Sequence, residues 1–206
     1  MPKSRDKLVV SLMAYAGLRP EEALGLFWRH VRPGHLLIEQ TFAAGELSPF
    51  TKTGKPRVVT LVGPLADELA AYRPADVSPD AFVIQNRWGG GYDLDNWRRR
   101  YWRPAAEASG VDAYPYVCRH TFASLLAREG RTIWEVGRQM GHGSARMTEL
   151  YEHEFEEAAC LGRRVTMAKA IPAARRRVAR QSAKNKTAKN LPITPGEHSG
   201  AVRGSG

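Results

Sequence analysis

Ala16-Gly-Leu-Arg-Pro-Glu-Glu-Ala-Leu-Gly-Leu26 is the stretch on which the reading of this chain turns. Proline is favoured in the first turn of a helix, and carboxylates there complement the macrodipole. Pro20, Glu21 and Glu22 therefore open a helix, with Ala23, Leu24, Leu26 and Phe27 behind them. Arg19 stands just before it, where Ser, Thr, Asp or Asn is the usual cap and a cation is disfavoured. Glu22, three residues on, lies on the same side and is placed to hold that guanidinium. Taken alone, the pair reads more readily as a surface ion pair. Upstream, Leu8, Val9, Leu12, Met13 and Ala16 recur at helical spacing from about Ser4, and Gly17 supplies the stop.

Downstream the texture changes. His35 to Phe42 and Arg57 to Val62 are rich in Leu, Ile, Val and Thr and read as strands, joined through a glycine-containing turn at Thr51-Lys-Thr-Gly-Lys55. An amphipathic helix follows at Pro64 to Tyr72, then a short strand, Ala81 to Ile84. After Gly89-Gly90-Gly91 come helices at about Leu94 to Ser109, Tyr116 to Arg128, Thr132 to Met140 and Ser144 to Tyr151, opened by Asp93, Pro115, Thr132 and Ser144. A further helix is expected from Phe155. The pattern predicts an α+β, mainly helical domain over residues 1–170 with a small antiparallel β-sheet. Beyond it, residues 171–206 have few apolar anchors and are expected to form a basic, disordered tail.

The charge distribution supports that division. The chain of 206 residues carries a formal net charge of +10. From Gly162 onward there are 11 Lys and Arg against one acid, Glu197, which leaves 20 basic and 20 acidic residues before it. The excess therefore lies from Gly162 onward, where it suits non-specific phosphate contact, and residues 1–161 carry no net charge. A hydrophobic fraction of 43% with 25% charged residues is that of a globular protein. No run approaches the roughly 18 apolar residues of a membrane span, and no leader-like segment opens the chain. Cys118 and Cys160 form no CxxC pair. A cytoplasmic protein with no membrane partner is expected.

Three further segments carry candidate chemistry. In Tyr116-Val-Cys-Arg-His120 the i, i+3 spacing stacks Tyr116 over Arg119, while Phe122, Leu125 and Leu126 supply a core face; a solvated arginine is the plain alternative. Cys118 reads as a small packing residue. Met140-Gly-His142-Gly-Ser144 sets a glycine-flanked histidine before a helix, with Tyr151 nine residues later; alone, His142 reads as a loop or capping residue. Trp97-Arg-Arg-Arg-Tyr-Trp-Arg103 could lay Arg98, Arg99, Arg100 and Arg103 along a DNA backbone while Trp97 and Tyr101 pack inward, or simply present a solvated face.

In this order the pieces resemble the catalytic domain of the tyrosine recombinase (phage integrase) family, over roughly residues 6–160. Ala16 to Leu26 is similar to the first-arginine box, with Arg19 in the catalytic place and Glu22 as its supporting acidic neighbour. Thr51-Lys-Thr-Gly-Lys-Pro-Arg-Val-Val-Thr-Leu61 resembles the β-hairpin lysine motif, with Lys52 in the catalytic slot and Lys55 its nearest rival. Arg119-His-Thr-Phe-Ala123 resembles the second-arginine box, with His120 in a supporting place. Met140-Gly-His142 resembles the second-histidine box, and Tyr151 stands at the nucleophile's spacing. Two departures are visible. Tyr116 occupies a position where the family usually has histidine, and it can donate a hydrogen bond without carrying positive charge. Only 18 residues precede Arg19, so the family's N-terminal core-binding domain is expected to be absent.

The resemblance implies a definite chemistry. The Tyr151 phenol would attack phosphorus and conserve the phosphodiester as a 3′-phosphotyrosyl bond. Arg19 and Arg119 would offer planar donor forks to the non-bridging oxygens, with His142 adding a hydrogen bond. Lys52 would protonate the departing oxygen. No cofactor or metal is implied, and His30, His35, His120 and His153 lack ligand spacing. The implied function is site-specific DNA recombination or integration, with double-stranded DNA as partner and four protomers on paired sites from a monomer when free. Rival readings are a non-catalytic DNA-binding remnant of a truncated integrase, a type IB topoisomerase, and an RNA-binding protein, the last resting on the tail alone.

Overall fold

Helix α1 (Ser4–Ala16) is apolar nearly all round, a pattern that is stable only inside a core. Leu8, Val9, Leu12, Met13 and Ala16 on it are fully buried. In the computed structural model, which describes residues 4–49, 51 and 54–142, the remaining helices and strands follow it along the chain. They are α2 (Pro20–Leu24), β1 (Val31–Arg32), β2 (His35–Ile38), β3 (Thr41–Ala43), β4 (Glu46–Ser48), β5 (Arg57–Thr60), α3 (Gly63–Tyr72), α4 (Leu94–Trp97), α5 (Arg103–Ser109), α6 (Val117–Arg128) and α7 (Ile133–Met140). All described residues fall within one compact unit, residues 1–173. Lys52, Tyr151, the helices expected at 144–151 and beyond 155, and the tail lie outside the described residues.

Helix α1 packs against both α6 and α3, and α6 in turn against α7. The turn after α1 permits this only as glycine. Gly17 has φ +62°, and a Cβ there would stand 2.3 Å from Cδ1 of Phe122 on α6. Helix α7 begins with a reciprocal cap: the Glu135 N–H donates to Thr132 Oγ1 while the Thr132 N–H donates to Glu135 Oε2 at 2.8 Å.

The β-structure is richer than the single small sheet expected. Strands β1, β2 and β5 form one antiparallel sheet in that order, with Leu36 opposite Val59 and Ile38 opposite Arg57. Leu36, Ile38 and Val59 point inward and are buried. The stretch read as one strand from His35 to Phe42 breaks at Glu39-Gln40, and β3 leaves to form a separate hairpin with β4. Its two-residue turn, Ala44-Gly45, has positive φ at both positions, 51° and 83°, which matches the twist of paired strands. The strand expected at Ala81 to Ile84 reduces to an isolated bridge between Phe82 and Phe27. Trp28 and Val83 donate to Ala81 and Leu26 carbonyls around that bridge, after which the partner chain segment turns into a 3-10 helix at Trp28–His30 and offers no further ladder. The helix expected from Leu94 to Ser109 is interrupted by a π-helical turn at Arg98–Trp102, where the Arg103 N–H reaches the Arg98 carbonyl. Pro104 follows, with no N–H to continue a regular ladder.

Candidate active site

The C-terminus of α7 is where the distant segments meet. Gly141 ends the helix in the left-handed conformation, φ 67° and ψ 49°. Its N–H donates to the Arg138 carbonyl and the His142 N–H to the Gly137 carbonyl, the paired bonds of a Schellman cap. The cap leaves the next three carbonyls, of Gln139, Met140 and Gly141, at the negative end of the helix dipole. Each accepts from a different arginine. Arg57 Nε donates to Gln139 at 2.9 Å, an Arg119 terminal nitrogen donates to Met140, and Arg19 donates to Gly141 at 3.1 Å. His142 follows directly and is half-buried.

Arg119, on the first turn of α6, is only 3% exposed. Its other terminal nitrogen donates to the Gly17 carbonyl at the end of α1, so the guanidinium clamps α1 to α7. Burial, and then the neighbouring Arg19, pull its pKa down to about 10, which leaves it a cation at neutral pH. Arg19 is held by Glu22. The carboxylate accepts from the Arg19 backbone N–H and from its guanidinium, both at 2.8 Å. The unfavourable cation at the start of α2 is thereby answered within the same turn.

Glu22 is itself 1% exposed, and a buried carboxylate needs more than one partner. The second is Arg57 at the start of β5, which makes a two-pronged pair with it at 2.8 and 2.6 Å. Burial would raise the Glu22 pKa, but Arg57 and Arg19 together hold it below the usual carboxylate value. Arg57 was not among the residues singled out from sequence. Its signal was the period of two: it shares a strand face with buried Val59 and sits opposite buried Ile38.

His142 titrates in the opposite sense to a charged catalyst. Burial first, then Arg119, Arg19, Arg57 and His120, push its pKa down to about 4, so the imidazole is neutral at pH 7. His120 lies exposed on α6. Tyr116, the residue before α6, is 42% exposed, and its phenol is pushed up by burial and by Glu21. It keeps its proton at neutral pH and is available as a donor. Cys118 is buried and its thiol is pushed up to about 11, as befits a packing residue. The structure thus brings Arg19, Glu22, Arg57, Arg119 and His142 together, with Tyr116 and His120 beside them. On either side of residues 52–53, the Gly54 N–H donates to the Thr51 carbonyl, and Thr51 Oγ1 donates to the Lys55 carbonyl.

The arginines of the 97–103 segment lie elsewhere. Trp97 is buried, while Arg99, Arg100 and Arg103 are exposed and Arg98 is half-buried, bonded to Asp95 at 3.5 Å. Arg100 borders a hollow of about 600 Å³ shared with Arg5, Trp88, Tyr92 and Tyr101. His30 is structural: its Nδ1 accepts from the Phe27 N–H and its Nε2 meets Glu39 at 3.0 Å. Among the described residues no group of three or more His, Cys, Asp or Glu side chains is gathered to hold a metal ion. No helix among them is long and apolar enough to cross a membrane.

Comparison with known proteins gives a consistent result. A model of the phage integrase family matches residues 2–158. Tyrosine recombinase XerC 1 of Ralstonia nicotianae is 30% identical over 160 residues, covering 71% of this chain and 48% of the relative. Tyrosine recombinase XerS of Streptococcus equi subsp. zooepidemicus is 27% identical over 164 residues, covering 73% and 42%. The chain therefore spans about half the length of these curated relatives. Among solved structures, the XerA recombinase superposes with a TM-score of 0.61 at 21% identity, over 78% of this chain and 57% of that one. The XerH site-specific recombinase bound to its difH substrate gives 0.55 at 23%, over 76% and 45%. These likenesses show the fold, an α+β, mainly helical domain with small antiparallel sheets.

Proposed function

Since the chain belongs to the phage integrase family, we propose that it carries out the strand cleavage and rejoining of site-specific DNA recombination through a 3′-phosphotyrosyl intermediate on Tyr151. One observation carries this reading. Two guanidiniums 100 residues apart in sequence, Arg19 and Arg119, are fixed on successive carbonyls, Gly141 and Met140, immediately before His142. A charge cluster of that kind suits a phosphate whose oxygens gain negative charge in the transition state.

The Tyr151 phenolic oxygen attacks phosphorus, the P–O5′ bond breaks, and the phosphate passes to the tyrosine on its 3′ side. The phenol loses one proton and the departing 5′ oxygen gains one, with Lys52 as its donor. Arg19 and Arg119 stabilise the non-bridging oxygens, each keeping guanidinium protons beyond those given to Glu22 and Gly141 by Arg19 and to Gly17 and Met140 by Arg119. Neutral His142 and the protonated Tyr116 phenol add hydrogen bonds without adding charge. Rejoining is the same step reversed by a 5′ hydroxyl, so positioning and charge stabilisation suffice.

Arg98, Arg99, Arg100 and Arg103 line the duplex in this reading, and the basic segment after residue 170 adds phosphate contacts of its own. The isolated chain is a monomer that assembles as four protomers on DNA presenting paired sites. A nicked suicide substrate tests the chemistry: the chain gives a denaturant-resistant protein–DNA adduct, and Tyr151→Phe gives none. An equal adduct with Tyr151→Phe refutes the assignment. DNA binding with no adduct from the unaltered chain favours the non-catalytic remnant instead.

A further inference from the structure

We infer that Arg57 is a positioning residue for the phosphate-binding arginines, acting through Glu22 and the end of α7 without touching substrate; this rests on the reading of the cluster given above. The geometry separates it from Arg19 and Arg119. All three of its nitrogens are committed within the protein, two to the two oxygens of Glu22 and one to the Gln139 carbonyl. Both of its terminal nitrogens lie on the Glu22 carboxylate, so its charge is answered inside the protein, whereas those of Arg119 lie on neutral carbonyls.

Its position explains why such a residue is needed. Glu22 must hold Arg19 from a buried site, and its carboxylate, which takes one bond from the Arg19 guanidinium and one from the Arg19 backbone N–H, has only one of its two partners within its own helix turn. A two-pronged guanidinium fixes the carboxylate plane. The same guanidinium, through Nε, fixes the first of the three carbonyls on which the cluster is built. Arg57 thus joins the carboxylate that supports Arg19 to the same end of α7 on which Arg19 rests, Arg57 through the Gln139 carbonyl and Arg19 through that of Gly141. The fit is close: a Cβ on Gly141 would stand 2.8 Å from Arg57 Cδ, so glycine at 141 provides both the left-handed cap and the room for this side chain. Lysine at 57 keeps the charge but cannot supply the fork.

The test compares the full chain with Arg57→Lys and, as a second variant, Arg57→Gln. In single-turnover cleavage of the nicked suicide substrate the variants are expected to slow by about 10- to 100-fold, the usual consequence of misplacing a reacting group. Their DNA affinity stays within about two-fold, because no phosphate contact is removed. On a substrate with a methylphosphonate at the scissile position, which develops one negative charge fewer for the arginines to stabilise, the gap to the unaltered chain narrows to about three-fold. An equal deficit on both substrates, or a rate loss that vanishes once rates are divided by the folded fraction, overturns the proposal. A separate readout needs no DNA. The 15N-bonded terminal guanidinium protons of Arg19 are expected to broaden in Arg57→Lys, while those of Arg119, held by Gly17 and Met140, stay sharp. Arg19 signals unchanged from the unaltered chain would refute the positioning role even if no protein cleaved DNA. Absence of any adduct with altered Arg19 signals would instead refute the catalytic reading and leave the positioning role standing.

Discussion

Replacing Glu22 by Gln removes one charge from the most buried part of the cluster. The carboxylate accepts four hydrogen bonds from two arginines, two on each oxygen, and its side chain is fully shielded. A glutamine keeps one accepting oxygen and turns an NH2 toward the donors that faced the other, so two charge-assisted bonds are lost. At about 1.5–2 kcal/mol each, the loss is about 3–4 kcal/mol, within the range for breaking a buried ion pair by removing one partner. The pH dependence separates this cause from general damage. The folded pKa of Glu22 lies below its unfolded value of 4.5, so its contribution is complete above 4.5 and fades as pH falls through the folded value. Urea unfolding followed by tryptophan fluorescence should therefore show the full gap at pH 7 and a shrinking gap below pH 4.5. A difference under about 1 kcal/mol at pH 7, or one that persists unchanged in acid, would refute the account of the cluster.

Gly17→Ala combines a positive φ with a clash against the Phe122 ring, and should cost about 3 kcal/mol or more in urea unfolding; a variant within 1 kcal/mol of the parent would contradict the packing of α1 on α6. His142 in the free protein should titrate near pH 4 by NMR. Because that value lies below the unfolded 6.5, its contribution to stability is present above pH 6.5 and is lost as pH falls from there toward 4; a midpoint near 6.5 would mean that the arginines do not face it. Cys118, buried with its thiol raised to about 11, should resist iodoacetamide at pH 7.5 in the folded chain and react on unfolding, as read by peptide mass mapping. Rapid labelling of the native protein would contradict its burial.

The helices were legible because their signals are local. Leu8 to Ala16 repeats at helical spacing, Thr132 and Glu135 announce their own cap, and Gly17, Gly110 and Gly141 stop their helices in the left-handed conformation. The β3–β4 hairpin escaped because Ala44 occupies a positive-φ position that Asn or Asp usually marks, and because all three residues of β4 are exposed and leave no alternation. The π-turn at Arg98–Trp102 was hidden by a helical pattern that continues on both sides of it. Within the site, Arg19 and Glu22 were readable as a pair three residues apart. What could not be read was the convergence on Gln139, Met140 and Gly141, since main-chain carbonyls carry no side-chain identity. Arg57 was missed for a related reason: a charged residue on the inward face of a strand declares burial, but its partner 35 residues upstream is fixed only by the tertiary fold.

If the arginine cluster governs strand cleavage as proposed, Tyr151 becomes bonded to DNA phosphate. The most direct measurement is mass mapping of the adduct trapped on a nicked suicide substrate, after nuclease trimming and tryptic digestion. Cleavage after Arg146 and Arg163 releases a peptide, Met147 to Arg163, in which Tyr151 is the single tyrosine. The nucleotide phosphate is expected on this peptide, at Tyr151, with a free 5′ hydroxyl on the released strand. A phosphate on any other residue, or a released strand ending in a 5′ phosphate, would contradict it.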